Sequence, residues 1–462
     1  MDKIESAMKS IEEGKRIASE CSYRPKYHFL PPAYWMNDPN APMHYKGEYH
    51  IFYQHNPYGD QWGKIHWGHA KSPDLIHWEH LPIALAPSLE KGEEHCFSGN
   101  CIIHNGVPSI IYTSIGPNKL PATGAEQWLA ISTDNMTTWK KFENNPILTL
   151  DVHKDLKIRD WRDPYLWKEN GSYFMILGGH VHKKRGGIVL LYKSTNLKDW
   201  EFVNILCEGN RKTGKNWECP VFLRFENKYA LIVSPHRKVI YALGSYKNFE
   251  FTPDKWNILD HGKTFYAPNI FVDNKDRIIM LGWIKGGGSG GWSGCMSLPR
   301  ILNLSPDGEK LTFTPVSELQ KLRENEFSVK NITIDEEGID FSTSGCCLEI
   351  ELVLERRNSK YFTIDLFKSS QDNQTDKINF DFYKKIITAG REKGYLTDLS
   401  DLHRLNIKIF IDHSVVEVYI NKEFCFTFRT FPKSLDCKLS LICNDGKMDM
   451  QKLTIWTLKA IG

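Results

Sequence analysis

The sequence predicts an all-β chain: a five-bladed β-propeller over residues 23–325 and a β-sandwich over 326–462, preceded by a short N-terminal helix in residues 1–22. Three observations predict it. Five short apolar strands recur every 48–65 residues or so: "YHIFYQ" from Tyr49, "SIIYTS" from Ser109, "YFMILGG" from Tyr173, "YALIVSP" from Tyr229 and "RIIMLGW" from Arg277. A second series keeps step with the first, "KSPDLIHW" (71–78), "ISTDNMTTW" (131–139), "KSTNLKDW" (193–200) and "GSYKNFEF" (244–251), each a strand end, a polar turn and an aromatic. From about Glu326 the pattern changes to longer alternating strands. Two independent series at one period mark repeats that need their neighbours to bury their faces. Period-two alternation marks an antiparallel sandwich.

The elements follow in order. "MDKIESAMKSIEEGKRIASE" brings Ile4, Met8, Ile11 and Ile17 on or near one helical face, and its acids interrupt any signal-peptide core, so it is expected to be part of the folded protein. In the repeats, Gly47, Gly106, Gly171 and Asn227 supply the turn before the first four strands, and Asp276 serves the fifth. Seven or eight residues before each turn stand Pro39, Gly99, Pro164, Pro220 and Pro268, so each blade has an equivalent short segment there. Equivalent segments of a propeller's innermost strands converge on the central channel. Asp38, Asp163 and Glu218 are therefore expected to meet at one mouth of it. The sandwich is read from "LEIELVLE" (348–355), "YFTIDLF" (361–367), "RLNIKIFID" (404–412), "SVVEVYI" (414–420), "FCFTFRTF" (424–431) and "KLTIWTL" (452–458).

Composition narrows the function classes. The chain has 462 residues and 41% apolar content, enough for two sizeable cores. A net charge of +3 asks for neither nucleic acid nor an anionic membrane. No apolar run reaches the roughly 18 residues of a spanning helix. Eleven cysteines, none in C-x-x-C spacing, suggest reduced thiols and a cytoplasmic location. "HWGH" (66–69) lacks the H-E-x-x-H context of a zinc site, and "KGGGSGGWSG" (285–294) lacks the ending of a phosphate loop and is expected to be a flexible surface loop. "DHS" (412–414) names triad residue types, but strand neighbours face opposite ways, so it reads as a hairpin turn.

Three converging acids have two sensible uses. Calcium binding would want a D-x-D-x-D-G loop or a second acidic cluster, and neither is present. Glycoside hydrolysis needs one carboxylate as nucleophile or base and one carboxylic acid to protonate the leaving oxygen. Trp35, Trp62, Phe97, Tyr266 and Trp283 around the same segments offer flat surfaces for a sugar ring. The sugar is the better fit.

At these residues the chain resembles glycoside hydrolase family 32, the invertases, fructanases and sucrose-6-phosphate hydrolases. The matching pieces are "WMNDPN" (35–40), "FYQHNP" (52–57), "WGHAKSPDLIHWEHLPIAL" (67–85), "CFSGN" (96–100), "WRDP" (161–164), "WECP" (217–220), "HGKTFYAPN" (261–269) and "GWSGCMSLPR" (291–300). The resemblance implies a retaining β-fructofuranosidase that cleaves terminal fructosyl units from sucrose, sucrose 6-phosphate or fructo-oligosaccharides through a covalent fructosyl-enzyme. It implies Asp38 as nucleophile, Glu218 as general acid and then base, and Asp163 as the group gripping the fructose hydroxyls. Implied substrate contacts are Asn37, Gln54, Trp62, Phe97, Ser98, Arg162, Tyr266 and Trp283. The implied partner is a small sugar, with no metal or organic cofactor.

The chemistry then requires Glu218 to hold a proton, which negative charge on Asp38 and Asp163 would favour, and Asp38 to stay ionised, with Asn37 and Arg162 as the groups to hold it so. Lys64, Arg185 and Arg237 are the basic candidates for reading a phosphate on the substrate. Two positions depart from the family pattern: Ala41 where Gly is usual, in a place that would strain at positive φ, and Val221 where an acid is common. The competing readings are an inverting arabinan-type hydrolase on a related propeller, against which "WMNDPN" with "ECP" argues, and an inactive fructan-binding propeller.

Overall fold

The computed structural model describes residues 3–116, 124–287, 290–343, 345–368, 377–432 and 438–461. They form two compact units. The first holds residues 1–21, 30–258 and 266–296; the second holds 22–29, 259–265 and 297–462.

In the first unit the repeats become antiparallel sheets. The first runs Tyr34–Tyr45, Glu48–Asn56, His66–Ser72, Glu79–Leu85; the second His95–His104, Val107–Ile115, Glu126–Ile131, Lys140–Lys141. The third runs Ile158–Glu169, Ser172–Val181, Gly187–Ser194, Glu201–Glu208; the fourth Glu218–Arg224, Tyr229–Ser234, Ile240–Lys247, Glu250–Ile258. Phe265–Val272 and Ile278–Ile284 begin a fifth, with Cys295–Met296 beside the latter. The ring closes where Trp292–Ser293 lies parallel to Tyr34 and Trp35. This is the five-bladed propeller expected from the repeats.

The second repeat series is one turn made several times over. Ser72 and Asp74, Ser132 and Asp134, and Ser194 and Asn196 each hydrogen-bond to one another and cap backbone N–H groups just downstream. Leu75, Met136, Leu197 and Phe249 follow in the left-handed region, at φ 69°, 68°, 65° and 65°. The aromatic then folds back: Trp78 and Trp200 each donate an indole N–H to a carbonyl three residues earlier, at 3.0 Å. Polar side chains supplying local turn hydrogen bonds explain why this spacing, rather than any one residue, repeats.

The helix Lys3–Glu20 packs Ala7 and Ile11 on Ile83, with Ile4 and Met8 around them. Ile17 departs from the expected face and is 51% exposed; the buried stripe continues through Gly14 and Ala18, because Gly14 sits against the Tyr34 ring, where a Cβ would come within 2.5 Å of it. The glycine-rich stretch also departs from expectation. Trp292 within it is fully buried and paired in a strand, although residues 288–289 lie outside the described ones.

The second unit is a sandwich of two six-stranded antiparallel sheets. One runs Arg323–Ile334, Met448–Leu458, Cys347–Arg356, Arg404–Asp412, Val415–Ile420, Phe424–Arg429. The other runs Ile339–Ser342, Lys438–Asn444, Tyr361–Lys368, Lys377–Asp381, Ile386–Ala389, Glu392–Tyr395. Alternate residues such as Leu348, Ile350, Leu352 and Leu354 fill the core between them. His413 is the left-handed corner of a hairpin, as the sequence suggested.

Candidate active site

The five segments found by counting back from the turns line one small cavity: Pro39, Gly99, Pro164, Pro220 and Pro268 with their neighbours. Across it Asn100 bonds Asn269 at 3.2 Å, and Asn269 bonds the Pro39 carbonyl at 3.3 Å. At the mouth the innermost strands lose regular register. Bulges fall between Met36 and Pro39, Cys96 and Gly99, and Glu218 and Val221, and one lies opposite Arg162. Asp163, Cys219 and Ala267, each the residue before its proline, take left-handed φ of 66°, 45° and 45°. Proline has no N–H to give the ladder, and a bulge re-aims the side chain beside it. Ala41 has φ 43°, so the departure from glycine noted above falls at a strained position.

A pocket above this cavity is lined by Trp35, Asn37, Asp38, Gln54, Trp62, Phe97, Arg162, Asp163, Glu218, His236, Tyr266, Trp283 and Lys285. All three carboxylates meet there, with seven of the eight expected contacts. The eighth, Ser98, lies just beneath and bonds Asp38 Oδ2 at 2.7 Å. Asn37 adds a bond to Oδ1 at 3.1 Å, and Gln54 approaches Oδ2 at 3.4 Å. The Cys219 sulfur stands 3.4 Å from Asp38 Oδ2 and 3.5 Å from Asp163 Oδ2, and its backbone N–H donates to Asp163 at 2.9 Å. Trp62 is half exposed at the rim, edge-on to Phe97.

Electrostatics differ from expectation in two ways. Arg162 bonds Glu218, at 2.5 Å, and stands 3.9 Å from Asp163; it is not what holds Asp38. Glu218 is not raised. Burial pushes its pKa up, but Arg162, His236 and the Tyr266 hydroxyl, which donates at 2.5 Å, outweigh that and hold it below the usual value. Burial raises Asp38 despite the bonds from Ser98 and Asn37. Burial, against the opposing pull of Arg162, takes Asp163 up to about 7. Of the two, Asp163 is thus the more readily protonated.

Asp163 therefore weighs on stability with a definite sign. A carboxyl whose pKa climbs from 3.8 to about 7 on folding disfavours the folded state increasingly as pH rises through that interval. Asp163→Asn is expected to gain about 2 kcal/mol of unfolding free energy at pH 8 and almost none at pH 4. Urea denaturation at the two pH values checks this; a variant less stable than the parent at pH 8 would contradict it.

Two pocket residues escaped the sequence reading. His236 Nδ1 lies 3.2 Å from Glu218 Oε2, and Lys285 Nζ sits 3.4 Å from the centre of the Tyr266 ring. The available signal was positional: His180 and His236 both stand seven residues after the tyrosine that opens their repeat strand, Tyr173 and Tyr229. Lys64, Arg185 and Arg237 do not line the pocket. Val221 is buried and lines the cavity below rather than the pocket.

Comparison with known proteins agrees with this geometry. Residues 28–315 match the glycosyl hydrolases family 32 N-terminal domain and 318–457 match the glycosyl hydrolases family 32 C terminal. A sucrose-6-phosphate hydrolase of Zymomonas mobilis is 34% identical over 99% of this chain and 96% of its own length. A raffinose invertase of Escherichia coli is 31% identical, over 95% of each. Among solved structures, a sucrose-6-phosphate hydrolase from Lactobacillus gasseri superposes with a TM-score of 0.85 at 25% identity, covering 98% of this chain and 97% of that one. A Bombyx mori GH32 beta-fructofuranosidase gives 0.84 at 27%, covering 99% and 98%. With both domain models matched in order along nearly the whole sequence, the chain belongs to glycosyl hydrolase family 32 and is a glycoside hydrolase of β-fructofuranosides.

Proposed function

We propose that the enzyme is a retaining β-fructofuranosidase in which Asp38 attacks the anomeric C2 of a fructosyl unit and Glu218 protonates the departing oxygen. The observation that carries this is the meeting of three carboxyls in one aromatic-walled pocket, with Asp38 held by Ser98 and Asn37 and Glu218 by Arg162 and Tyr266. Asp38 then carries the sugar as an ester, and Glu218, having lost its proton to the leaving group, takes one from the water that releases fructose. Asp163 accepts hydrogen bonds from fructose hydroxyls, which favours its ionised form. That new negative charge raises the proton affinity of Glu218 and so moves the proton to where the first step needs it. Asn37, Gln54, Trp62, Phe97, Ser98, Arg162, Tyr266 and Trp283 shape the fructosyl and leaving-group sites.

The substrate class is sucrose, sucrose 6-phosphate or a short fructan. The names of the relatives and the basic side chain of Lys285 on the pocket wall favour the phosphorylated sugar. The ten described cysteines are all free, which suits a reducing, cytoplasmic compartment. No described helix is long and apolar enough to cross a membrane.

The test is kcat/KM for sucrose, sucrose 6-phosphate and an inulin-type oligosaccharide, with the anomeric form of the first-released fructose followed by NMR. We expect retention, and a preference of about a hundredfold for the phosphate, equivalent to about 2.7 kcal/mol of differential transition-state binding. Inversion would select the arabinan-type reading; binding without release of fructose would select the inactive one.

A further inference from the structure

Glu218 belongs to a closed ring of six polar side chains. Arg162 Nη2 bonds Glu218 Oε1 at 2.5 Å, and Arg162 Nη1 reaches Asp160 Oδ1 at 3.3 Å. Asp160 Oδ2 lies 3.4 Å from His180 Nδ1, which is also 3.4 Å from Asn216 Oδ1. Asn216 Nδ2 is 3.4 Å from His236 Nε2, and His236 Nδ1 returns to Glu218 Oε2 at 3.2 Å. The Asn216 amide nitrogen thus faces one ring nitrogen of His236, and the other ring nitrogen stands beside Glu218.

The backbone of His236 is fixed by the same partner. Its N–H donates to the Tyr266 oxygen at 2.9 Å, and that hydroxyl donates onward to Glu218. Its φ of 58° is in the left-handed region, where histidine is enriched among non-glycine residues. Asn216 and His180 are buried, whereas the His236 side chain is 58% exposed. The imidazole is thus anchored from behind and open to solvent on the pocket side.

We propose that His236 is a positioning residue for Glu218, held in place by Asn216 and Tyr266, and that it sets the pH at which Glu218 carries its proton. This rests on Glu218 being the general acid. Every charged or titratable neighbour of Glu218 bears on the argument. Arg162 and Asp163 come from the strand Ile158–Glu169, Tyr266 from Phe265–Val272, Lys285 from just past Ile278–Ile284, Asp38 from Tyr34–Tyr45, and Cys219 adjoins it. Arg162 and Tyr266 each hold one oxygen and are buried, so they act alike at all working pH values. With Nδ1 at 3.2 Å from Oε2, the His236 imidazole lowers the proton affinity of Glu218. Arg237 beside it is turned elsewhere, to the carbonyls of Arg211 and Lys212.

The experiment is the pH profile of kcat/KM for sucrose in the intact enzyme, His236→Gln and Glu218→Gln, with Asn216→Leu as the variant that frees Nε2 without touching the pocket. Replacing His236 by Gln removes one of the groups that hold Glu218 low, so the basic limb, which reports loss of the Glu218 proton, is expected to move up by half a pH unit or more. Asn216→Leu is expected to move it in the same direction by less. For an aryl fructofuranoside, whose leaving group needs little protonation, the profiles of the parent, His236→Gln and Asn216→Leu should converge. A basic limb of His236→Gln superposing on the parent, while Glu218→Gln loses that limb, would overturn the role of His236 alone. A limb retained in Glu218→Gln would instead overturn the assignment of the acid. Because His236 is exposed, a merely structural role would show as a lowered Tm with an unmoved profile, and that also would refute the proposal.

Discussion

Asp38→Asn is expected to lower kcat for fructose release from sucrose by about 10⁴-fold or more, equivalent to about 5.4 kcal/mol, while the protein stays folded. The substitution is nearly isosteric. The remaining oxygen of the amide can accept one of the bonds that Ser98 and Asn37 now give the carboxylate, so the pocket keeps its shape. Under the proposed mechanism, what is lost is the electron pair that would form the ester to C2. Because burial already raises the pKa of Asp38, removing its charge relieves a desolvation cost, and the melting temperature should hold or rise. Steady-state kinetics with a thermal scan on the same preparation checks both halves. Activity within tenfold of the parent would place the nucleophile elsewhere.

The second large effect concerns stability. Arg300→Met is expected to destabilise the sandwich unit by about 3–5 kcal/mol, because it takes the guanidinium from buried Asp260 and removes the stronger of the two partners of buried Glu417. Arg300 is fully buried, bonds Asp260 Oδ2 at 2.8 Å and Glu417 Oε2 at 2.7 Å, and lies over the Phe265 ring. Glu417 continues to His28 at 3.1 Å, and His28 to Asp412 at 2.8 Å; Asp412 also collects the backbone N–H groups of Lys26, Tyr27 and His28. One network thereby ties the segments 22–29, 259–265 and 297–462 into a single unit.

Its pH dependence follows from the shifts. Burial opposes ionisation of Glu417, but Arg300 and His28 bring it down to about 2, and His28 with the N–H groups lowers Asp412. Their stabilisation is present above the ordinary carboxyl range and lost as pH falls through those lowered values. His28 is raised by Asp412 and Glu417 against burial, so its contribution is full below its ordinary value of 6.5 and lost as pH rises through the raised one. Unfolding by urea between pH 3 and 9 should show a plateau near pH 5–6 in the parent. In Arg300→Met the acid side should begin at higher pH, since Glu417 has lost its main partner. A loss under 1 kcal/mol at pH 6 would refute this account.

How much of this was legible in one dimension depends on whether a feature is local. The strands from Tyr49, Ser109, Tyr173, Tyr229 and Arg277 and the turns at Asp74, Asp134 and Asn196 are made by neighbours in sequence, so their periodicity is visible in the letters. The strand Arg323–Ile334 escaped because it is a mostly exposed edge with few apolar residues to alternate. Trp292 escaped because a glycine-rich context hides a strand that exists only by pairing with Tyr34 and Trp35.

The sequence by itself determined the repeat, the change of pattern near Glu326 and the meeting of Asp38, Asp163 and Glu218 in one place, because each follows from the spacing of the chain. Only the tertiary structure decided which partner each charge has. Arg162 went to Glu218 rather than Asp38, His236 and Lys285 joined the pocket, and Arg300 met Glu417 across 117 residues. Charge, burial and hydrogen-bond direction belong to distances in space, and no period along the chain encodes them.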